Sequence, residues 1–206
     1  MKRHRAGPAL LLLGACRGLQ PLPPPEAPVP GREIPVEARA PERETAAPAR
    51  LPDDHEALVA RALLIPVQGV RPDQLRDSFT ASRGERVHAA LDIMAPRGTP
   101  VLAADGGLLW KVRSNALGGL TVYVLDDEQR FVYYYAHLDR YADDTKEGRR
   151  VTKGAVLGYV GTTGNAPPNT PHLHFQLMKY RGDGRWWDGE PINPYPYLTG
   201  TTRGTP

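Results

Sequence analysis

The sequence changes character at about Arg86, where short runs rich in β-branched and aromatic residues begin to alternate with turn residues. No helical periodicity runs through the region that follows. Short strands separated by turn residues are typical of antiparallel sheets. The sequence therefore predicts an all-β, antiparallel domain, a sheet or sandwich in which one sheet predominates.

Turn residues join four of the predicted strands into two hairpins. Asp105, Gly106 and Gly107 form the turn signal of the first hairpin, and residues 126–129 form that of the second. Each hairpin joins consecutive strands, and two more strands follow further along the chain. In chain order, the predicted strands are 101–104, 108–112, 121–125, 131–138, 156–160 and 172–178.

Two different segments are expected upstream of this domain. Residues 53–65 are predicted to form a short helix, with Asp53 as a cap and Pro66 as its stop. Residues 16–52 are mostly Pro, Ala, Glu and Arg, and they cannot bury enough apolar surface to offset their ordering entropy. We expect this segment to be a disordered, proline-rich tether that could reach about 100 Å as polyproline II. A low-complexity linker without a tuned length has the same composition.

Residues 1–15 have the pattern of a secretory signal of the lipoprotein type. Three basic residues among the first five precede an apolar stretch from Ala9 to Ala15, which is too short to span a membrane. Residues 13–16 resemble a bacterial lipobox, which ends in the cysteine that receives the lipid. This predicts lipid attachment at Cys16, the only cysteine of the chain, and tethering to a membrane. The alternative is a plain signal peptide followed by an incidental cysteine.

The charge balance argues against a nucleic-acid partner. The formal net charge is +3, but three of the 26 basic residues lie within residues 1–15. The remaining 23 basic residues equal the 23 acidic ones, so the rest of the chain is neutral. We therefore expect no basic patch that would recruit a polyanion.

Four of the six histidines lie in the β-rich region, in three short blocks. His172 and His174 are two residues apart in a predicted strand, so their imidazoles point to the same face of the sheet. His137 lies near the end of the strand predicted over 131–138. A single block of this kind is usually incidental. Their concentration in one small domain indicates a functional site.

The fourth histidine, His88, precedes Asp92 by four residues. In a straight strand these two residues would be about 13 Å apart, so they could share one ion only if the chain bends between them. The small side chains of Ala89 and Ala90 permit such a bend. A catalytic zinc site takes three protein ligands of the His, Asp or Glu type and leaves one position for water. Two histidines and one aspartate would satisfy this requirement and leave histidines for proton transfer.

The histidine blocks, in this order and spacing, resemble the lysostaphin/LytM-type zinc metallopeptidases, which are peptidoglycan hydrolases with a duplicated hybrid motif fold. The resemblance runs over residues 66–198, which we take as the metallopeptidase domain, followed by a flexible tail over 199–206. The sequence landmarks that carry the resemblance are residues 88–92, 95–101, 103–106, 135–138, 151–154, 158–164, 171–175, 191–194 and 197–198.

The resemblance implies a role for each residue of the blocks. His88, Asp92 and His174 would ligate one zinc ion per chain. His137 and His172 would be the catalytic pair that polarises the attacking water and stabilises the oxyanion. Ala90 stands where many relatives have glycine, which puts only the shape of that loop in doubt.

The resemblance also implies an activity and a location. We expect a monomeric endopeptidase that cleaves peptide cross-links of peptidoglycan in the cell envelope or periplasm, anchored by lipid to a membrane (the outer membrane in a Gram-negative cell). A non-catalytic regulator that activates another wall hydrolase is the alternative, since degenerate relatives act in that way. The presence of both the ligands and the catalytic pair favours the enzyme.

Three consecutive tyrosines precede His137 in the same predicted strand. Side chains alternate between the two faces of a strand, so Tyr133 and Tyr135 are expected to share the face of His137. The sequence therefore predicts that these two tyrosines, rather than Tyr134, line a substrate groove.

Overall fold

The computed structural model describes residues 53–84 and 86–202 of the 206-residue chain. The predicted signal segment, the lipid site at Cys16 and the tether over 16–52 lie outside the described residues, as does the end of the predicted tail. None of the helices within the described ranges has the length and apolar character needed to cross a membrane.

An antiparallel nine-stranded sheet dominates the described part of the chain, which confirms the all-β prediction. A separate two-stranded ribbon is formed by β1 and β2. The strands are β1 Ser82–Arg83, β2 Arg86–Val87, β3 Leu91–Met94, β4 Pro100–Leu102, β5 Gly107–Asn115, β6 Gly119–Leu125, β7 Phe131–Tyr141, β8 Arg150–Val151, β9 Val156–Val160, β10 His172–Lys179 and β11 Glu190–Ile192. The helices are α1 Asp54–Arg61 and α2 Tyr195–Thr199, with a 3-10 turn at Pro72–Gln74.

Strand β10 has neighbours on both sides, and the main path of the sheet runs in the order β11, β10, β7, β6, β5, β8. The first half of β10 pairs with β3 and its second half with β11. Apolar side chains of these strands alternate into a core whose largest fully buried members are Tyr133, Tyr135, Phe131 and Phe175. The opposite face of β10 carries the histidines.

The prediction of a hairpin around Asp105 is wrong. Strand β4 pairs with β9, whereas β5 pairs with β6 and β8. Gly107 is needed for another reason, because a Cβ there would overlap the backbone of Leu125. The glycine therefore marks a close approach between two strands rather than a hairpin turn.

The hairpin predicted around residues 126–129 is confirmed, since β6 and β7 pair directly across it. Strands β9 and β10 also lie where the sequence predicts them. The hairpin between β5 and β6 was not predicted. Its turn is organised by Asn115, whose side-chain oxygen accepts hydrogen bonds from the backbone N–H groups of Leu117 and Gly118.

Helix α1 is shorter than the predicted 53–65. Its start follows the prediction, because Asp53 and Glu56 form a reciprocal capping box. It ends four residues early, at Arg61, because Ala62 takes a left-handed conformation with φ of 47°. The Lys153 ammonium donates hydrogen bonds to the carbonyls of Arg61 and Ala62, so the sheet domain supplies the C-terminal cap.

The last residue of α1 joins the helix to the sheet through ion pairs. The Arg61 guanidinium contacts Asp105 at 3.1 Å, Asp126 at 2.6 Å and Glu128 at 3.0 Å. The Asp126 side chain is fully buried, and its other oxygen accepts hydrogen bonds from the backbone N–H groups at the start of β7. Arg61 therefore balances a buried charge at the hairpin that leads into the histidine-bearing strand.

Replacing Arg61 with Met should lower the free energy of unfolding by about 3 kcal/mol, because it leaves the buried Asp126 carboxylate without its partner. The matched control is Arg71→Met, which breaks an ion pair with Asp73 between side chains that are both about two-thirds exposed. That change should cost less than about 1 kcal/mol. Urea unfolding followed by tryptophan fluorescence measures both values, and equal losses would contradict the structural role of Arg61.

Candidate active site

Three side chains meet in a cluster that could hold a metal ion: His88, Asp92 and His174. His88 Nε2 lies 3.1 Å from Asp92 Oδ1 and 3.1 Å from His174 Nδ1, and the latter two atoms are also 3.1 Å apart. Atoms bound to a tetrahedral zinc ion at ~2.0–2.1 Å would be roughly 3.3 Å apart. The three donor atoms therefore fit such an ion with a small outward shift, and their chemical types suit it.

The predicted bend between His88 and Asp92 is present. It lies at Ala89, whose φ of 55° is in the left-handed region that non-glycine residues rarely adopt. Ala90, which stands where many relatives have glycine, is fully buried and does not make the turn. The bend brings the His88 imidazole back over the start of β3, next to the carboxylate that it would miss in a straight strand.

Strand register places the third member of the cluster. In the pairing of β10 with β3, His174 lies directly opposite Asp92. Residues directly opposite each other in an antiparallel pair have their side chains on the same face, about 5 Å apart at Cβ. This register, which joins residues 82 positions apart, brings His174 to the ligand pair.

The backbone determines which nitrogen of each imidazole carries the proton. His88 Nδ1 lies 3.0 Å from the Ser78 carbonyl, which can only accept, so Nδ1 is the donor and Nε2 keeps its lone pair for the cluster. Ser78 also accepts a hydrogen bond from the Asp92 backbone N–H through its hydroxyl. Sequence reasoning missed Ser78, because no motif marks the residue whose carbonyl orients a distant histidine.

The two histidines outside the cluster are oriented in the same way. His137 Nδ1 lies 2.9 Å from the Thr163 carbonyl, and His172 Nδ1 lies 2.8 Å from the Thr170 carbonyl. Both imidazoles therefore keep a lone pair on Nε2. Their ring centroids are 5.0 Å apart, and His172 Nε2 is 3.8 Å from Asp92 Oδ1. The structure thus brings all five predicted site residues into one place.

A β-bulge in β7 turns the His137 imidazole toward the His-Asp-His cluster. Across the pairing with β6, Leu120 lies opposite Leu138 but Val122 lies opposite Tyr135, so β7 contains one extra residue. His137 has a φ of 61°, and its backbone N–H donates to the Gly118 carbonyl at 2.7 Å. The bulge therefore re-aims the imidazole and is stabilised by the β5–β6 turn.

The bulge also overturns the expectation for the tyrosines. Tyr133 and Tyr135 are fully buried in the core, whereas Tyr134 lines the cleft with His137. Simple alternation fails here because the extra residue reverses which positions share a face. The Tyr134 ring centroid lies 6.0 Å from that of His174, so this tyrosine forms one wall beside the cluster.

Burial and hydrogen bonding set the charges of the site. Burial opposes ionisation of Asp92, but hydrogen bonds with His174 and His88 outweigh it and hold the pKa of the carboxyl well below its usual range. Burial lowers the pKa of His137 to about 4 and also lowers the pKa of His174. At neutral pH the carboxylate is therefore charged and these two imidazoles are neutral.

The five residues lie in a cleft of about 440 Å³ on the sheet face. The turn between β5 and β6 and the loop that leads into β10 form its walls. Besides the five residues, the cleft is lined by Arg83, Met94, Leu117, Gly118, Tyr134, Ala136, Asn165, Ala166, Pro167 and Thr170.

Thr163 connects the cleft wall to the bulge. Its hydroxyl donates to the Leu138 carbonyl at 2.7 Å and accepts from the Leu120 backbone N–H at 3.0 Å. Its own carbonyl orients His137. The loop therefore joins both strands at the place where their register shifts, and a displacement of Thr163 would move His137.

The antiparallel sheet thus carries a His-Asp-His cluster and two further imidazoles within one open cleft, and comparison with known proteins places such a chain among the peptidases. Residues 86–194 match Peptidase family M23, and because this is more than half of the chain, the protein belongs to that family. The lysostaphin/LytM resemblance is thereby confirmed.

Similar proteins include endopeptidases, one of which is named as acting on peptidoglycan. The L-Ala–D-Glu endopeptidase of Bacillus subtilis is 35% identical over 120 residues, which cover 56% of this chain and 35% of that protein. The peptidoglycan DD-endopeptidase ShyC of Vibrio cholerae is 34% identical over 93 residues, covering 45% of this chain and 20% of that protein. The chain thus spans about a third or less of either relative.

The solved structures agree with the family assignment. The crystal structure of a Pseudomonas aeruginosa peptidase M23 superposes with a TM-score of 0.52 at 28% sequence identity. The match covers 68% of this chain and 51% of that one.

Replacing Gly119 with Ala should disturb the site, because a Cβ there would overlap the hydroxyl and backbone of Thr163. The control is Gly148→Ala, since Gly148 also has a positive φ but has nothing within 4 Å of the added Cβ. The control should cost about 1–2 kcal/mol of stability from backbone strain alone. Gly119→Ala should cost a further ~1–3 kcal/mol from overpacking and should also lower peptidase activity. Thermal unfolding and rate measurements on both variants check this, and equal effects would refute the role of Thr163.

Proposed function

We propose that this protein is a zinc-dependent endopeptidase that cuts peptide bonds in peptidoglycan. The observation that carries the proposal is the position of two backbone-oriented imidazoles, those of His137 and His172, beside the His-Asp-His cluster and within one open cleft. The cluster supplies three ligands and leaves the cleft side open, as a catalytic rather than a structural zinc site requires.

His88, Asp92 and His174 would hold the ion in this proposal. Their donor atoms are already within 3.1 Å of one another, and the Ser78 carbonyl keeps His88 Nε2 unprotonated for coordination. Two imidazoles and one carboxylate give the donor set typical of catalytic zinc. When bound, zinc would act as a Lewis acid on the scissile carbonyl and would make water more acidic.

His137 and His172 would move the proton. Each holds its Nδ1 proton on a backbone carbonyl, so Nε2 is free to accept a proton from the attacking water. After accepting it, Nε2 becomes a donor that can stabilise the oxyanion and pass the proton to the leaving amine. The low pKa of His137, about 4 because of burial, keeps this imidazole in the accepting form at neutral pH.

The substrate would be a peptide of the bacterial cell wall. One relative is named for cleavage between L-Ala and D-Glu, and the other is named as a peptidoglycan endopeptidase. The cleft of this protein is open along the sheet face, so a peptide can enter it. We propose the stem or cross-link peptides of peptidoglycan as the substrate class and the cell envelope as the location. A lipid on Cys16 would hold the enzyme at a membrane facing its substrate.

The alternative to the proposed enzyme is a non-catalytic protein that regulates another wall hydrolase, and the experiments must distinguish the two. A regulator does not need a proton-transfer pair beside a ligand cluster. Both are present in this cleft, with each histidine oriented by a hydrogen bond. This favours catalysis.

Purified protein loaded with zinc should cleave defined muropeptides, and mass spectrometry should identify products that each carry a new amino or carboxyl terminus. The products also reveal which bond is cut. His137→Ala is the control and should leave the muropeptides intact under the same conditions. If zinc-loaded wild-type protein also leaves every muropeptide intact but stimulates a second wall hydrolase, the regulator is the correct alternative.

The proposed roles predict two classes of variant. Replacing His88, Asp92 or His174 with Ala should lower both zinc content and activity. Replacing His137 or His172 with Ala should lower the rate about 10²–10⁴-fold while zinc stays bound at one ion per chain. Metal analysis and initial rates, measured on the same preparations, test this.

The neighbours His172 and His174 make the test sharp, because they share a strand face but are assigned different roles. If His172→Ala loses zinc and His174→Ala retains it, the assignment within β10 is reversed. The double variant of His137 and His172 should lose less than the product of the two single effects, because groups that act as a unit are not additive.

A further inference from the structure

One charged residue of the cleft has no role in the proposed proton transfer. Arg83 ends β1, in the short ribbon that lies before His88, and its side chain is 54% exposed at the cleft wall. Among the described residues that line the cleft, Arg83 is the one that carries a permanent positive charge. Arg83 is therefore positioned to contact a ligand that binds in the cleft.

Arg83 is held in place by the same carboxylate that belongs to the ligand cluster. Its Nη2 donates to Asp92 Oδ2 at 2.5 Å, while Asp92 Oδ1 faces His88 and His174. The structure gives the Arg83 guanidinium no other hydrogen bond among the residues that it describes. Nη2 carries a second N–H, which lies parallel either to that of Nε or to one of Nη1, so one complete two-donor fork of the kind that matches a carboxylate remains next to the cluster.

The charges of the cleft point to an anionic ligand group. Asp92 is the one carboxylate among the described lining residues, and it would be neutralised in part by a divalent ion at the cluster. The Arg83 charge then has no full counterion on the protein. An acidic group of the substrate would supply it, because an arginine fork binds a planar carboxylate through two parallel hydrogen bonds.

We infer that Arg83 is a specificity residue that binds a free carboxylate of the substrate beside the scissile bond. The inference rests on the proposed function and narrows its substrate class. Peptides with an acidic residue next to the cut bond are preferred over the same peptides with that group as a carboxamide. The Asp92 contact orients the guanidinium for this task.

The test compares two synthetic wall peptides that differ only in one group, a free carboxylate or a carboxamide beside the cut bond. The wild-type enzyme should show a kcat/KM about 10–100-fold higher for the carboxylate peptide, the range expected for a hydrogen bond to a charged group. Arg83→Gln should remove most of this preference by lowering kcat/KM for the carboxylate peptide. It should lower kcat/KM less for the carboxamide peptide, so that the ratio of the two kcat/KM values falls toward one.

The matched control is Arg86→Gln, which removes the same charge from the facing position of the ribbon. Arg86 is exposed and does not line the cleft, so this variant should keep the wild-type preference. Arg83→Lys should keep part of the preference, because it preserves the charge but loses the fork.

Binding measurements separate this inference from the proposed catalysis. In the His137→Ala background, calorimetry should give tighter binding of the carboxylate peptide, and addition of Arg83→Gln should abolish the difference. The inference is overturned if Arg83→Gln lowers activity equally on both peptides and reduces zinc content, since Arg83 then only supports Asp92. It is also overturned if the His137→Ala protein binds both peptides equally. Failure of wild type to cleave either peptide, with the binding difference intact, would count against the proposed catalysis alone.

Discussion

The antiparallel pairing of β10 with β3 is the constraint on which the site depends. It places His174 opposite Asp92, and a slip by one residue would move either side chain to the buried face. The register is held by the core, since Leu173 and Phe175 on the other face of β10 are fully buried. Because side chains alternate between the two faces of a strand, the core packing of one face fixes the position of the polar cluster on the other.

Two residues in left-handed conformation convert this regular sheet into a site. Ala89 bends the chain so that His88 returns toward Asp92, and His137 lies in the bulge that turns its imidazole into the cleft. Such conformations cost about 1–2 kcal/mol each for residues other than glycine. They persist because the surrounding hydrogen bonds, such as that from the His137 N–H to the Gly118 carbonyl, hold the backbone there.

The chemistry of the site depends as much on backbone carbonyls as on side chains. Ser78, Thr163 and Thr170 each offer a carbonyl to one histidine Nδ1, so three imidazoles keep their Nε2 lone pairs. His137 and His172 are largely buried on this sheet face, since each is only 7% exposed. Burial lowers the pKa of His137 and favours its neutral form, and the carbonyls orient all three rings, so the direction of each imidazole is fixed before any ligand binds.

The sequence by itself determined the fold class and the shared face of His172 and His174, because these follow from local periodicity, and the five predicted site residues came as a set from its resemblance to the lysostaphin/LytM family. It also required a bend after His88, since four extended residues cannot bring His88 to Asp92. Only the tertiary structure decided that β4 pairs with β9, that the bulge exposes Tyr134 instead of Tyr133 and Tyr135, and that Arg83 reaches Asp92. Those features depend on contacts between residues far apart in the chain or on one extra residue in a strand. Neither changes the local alternation of apolar and polar residues from which strands and their faces are predicted.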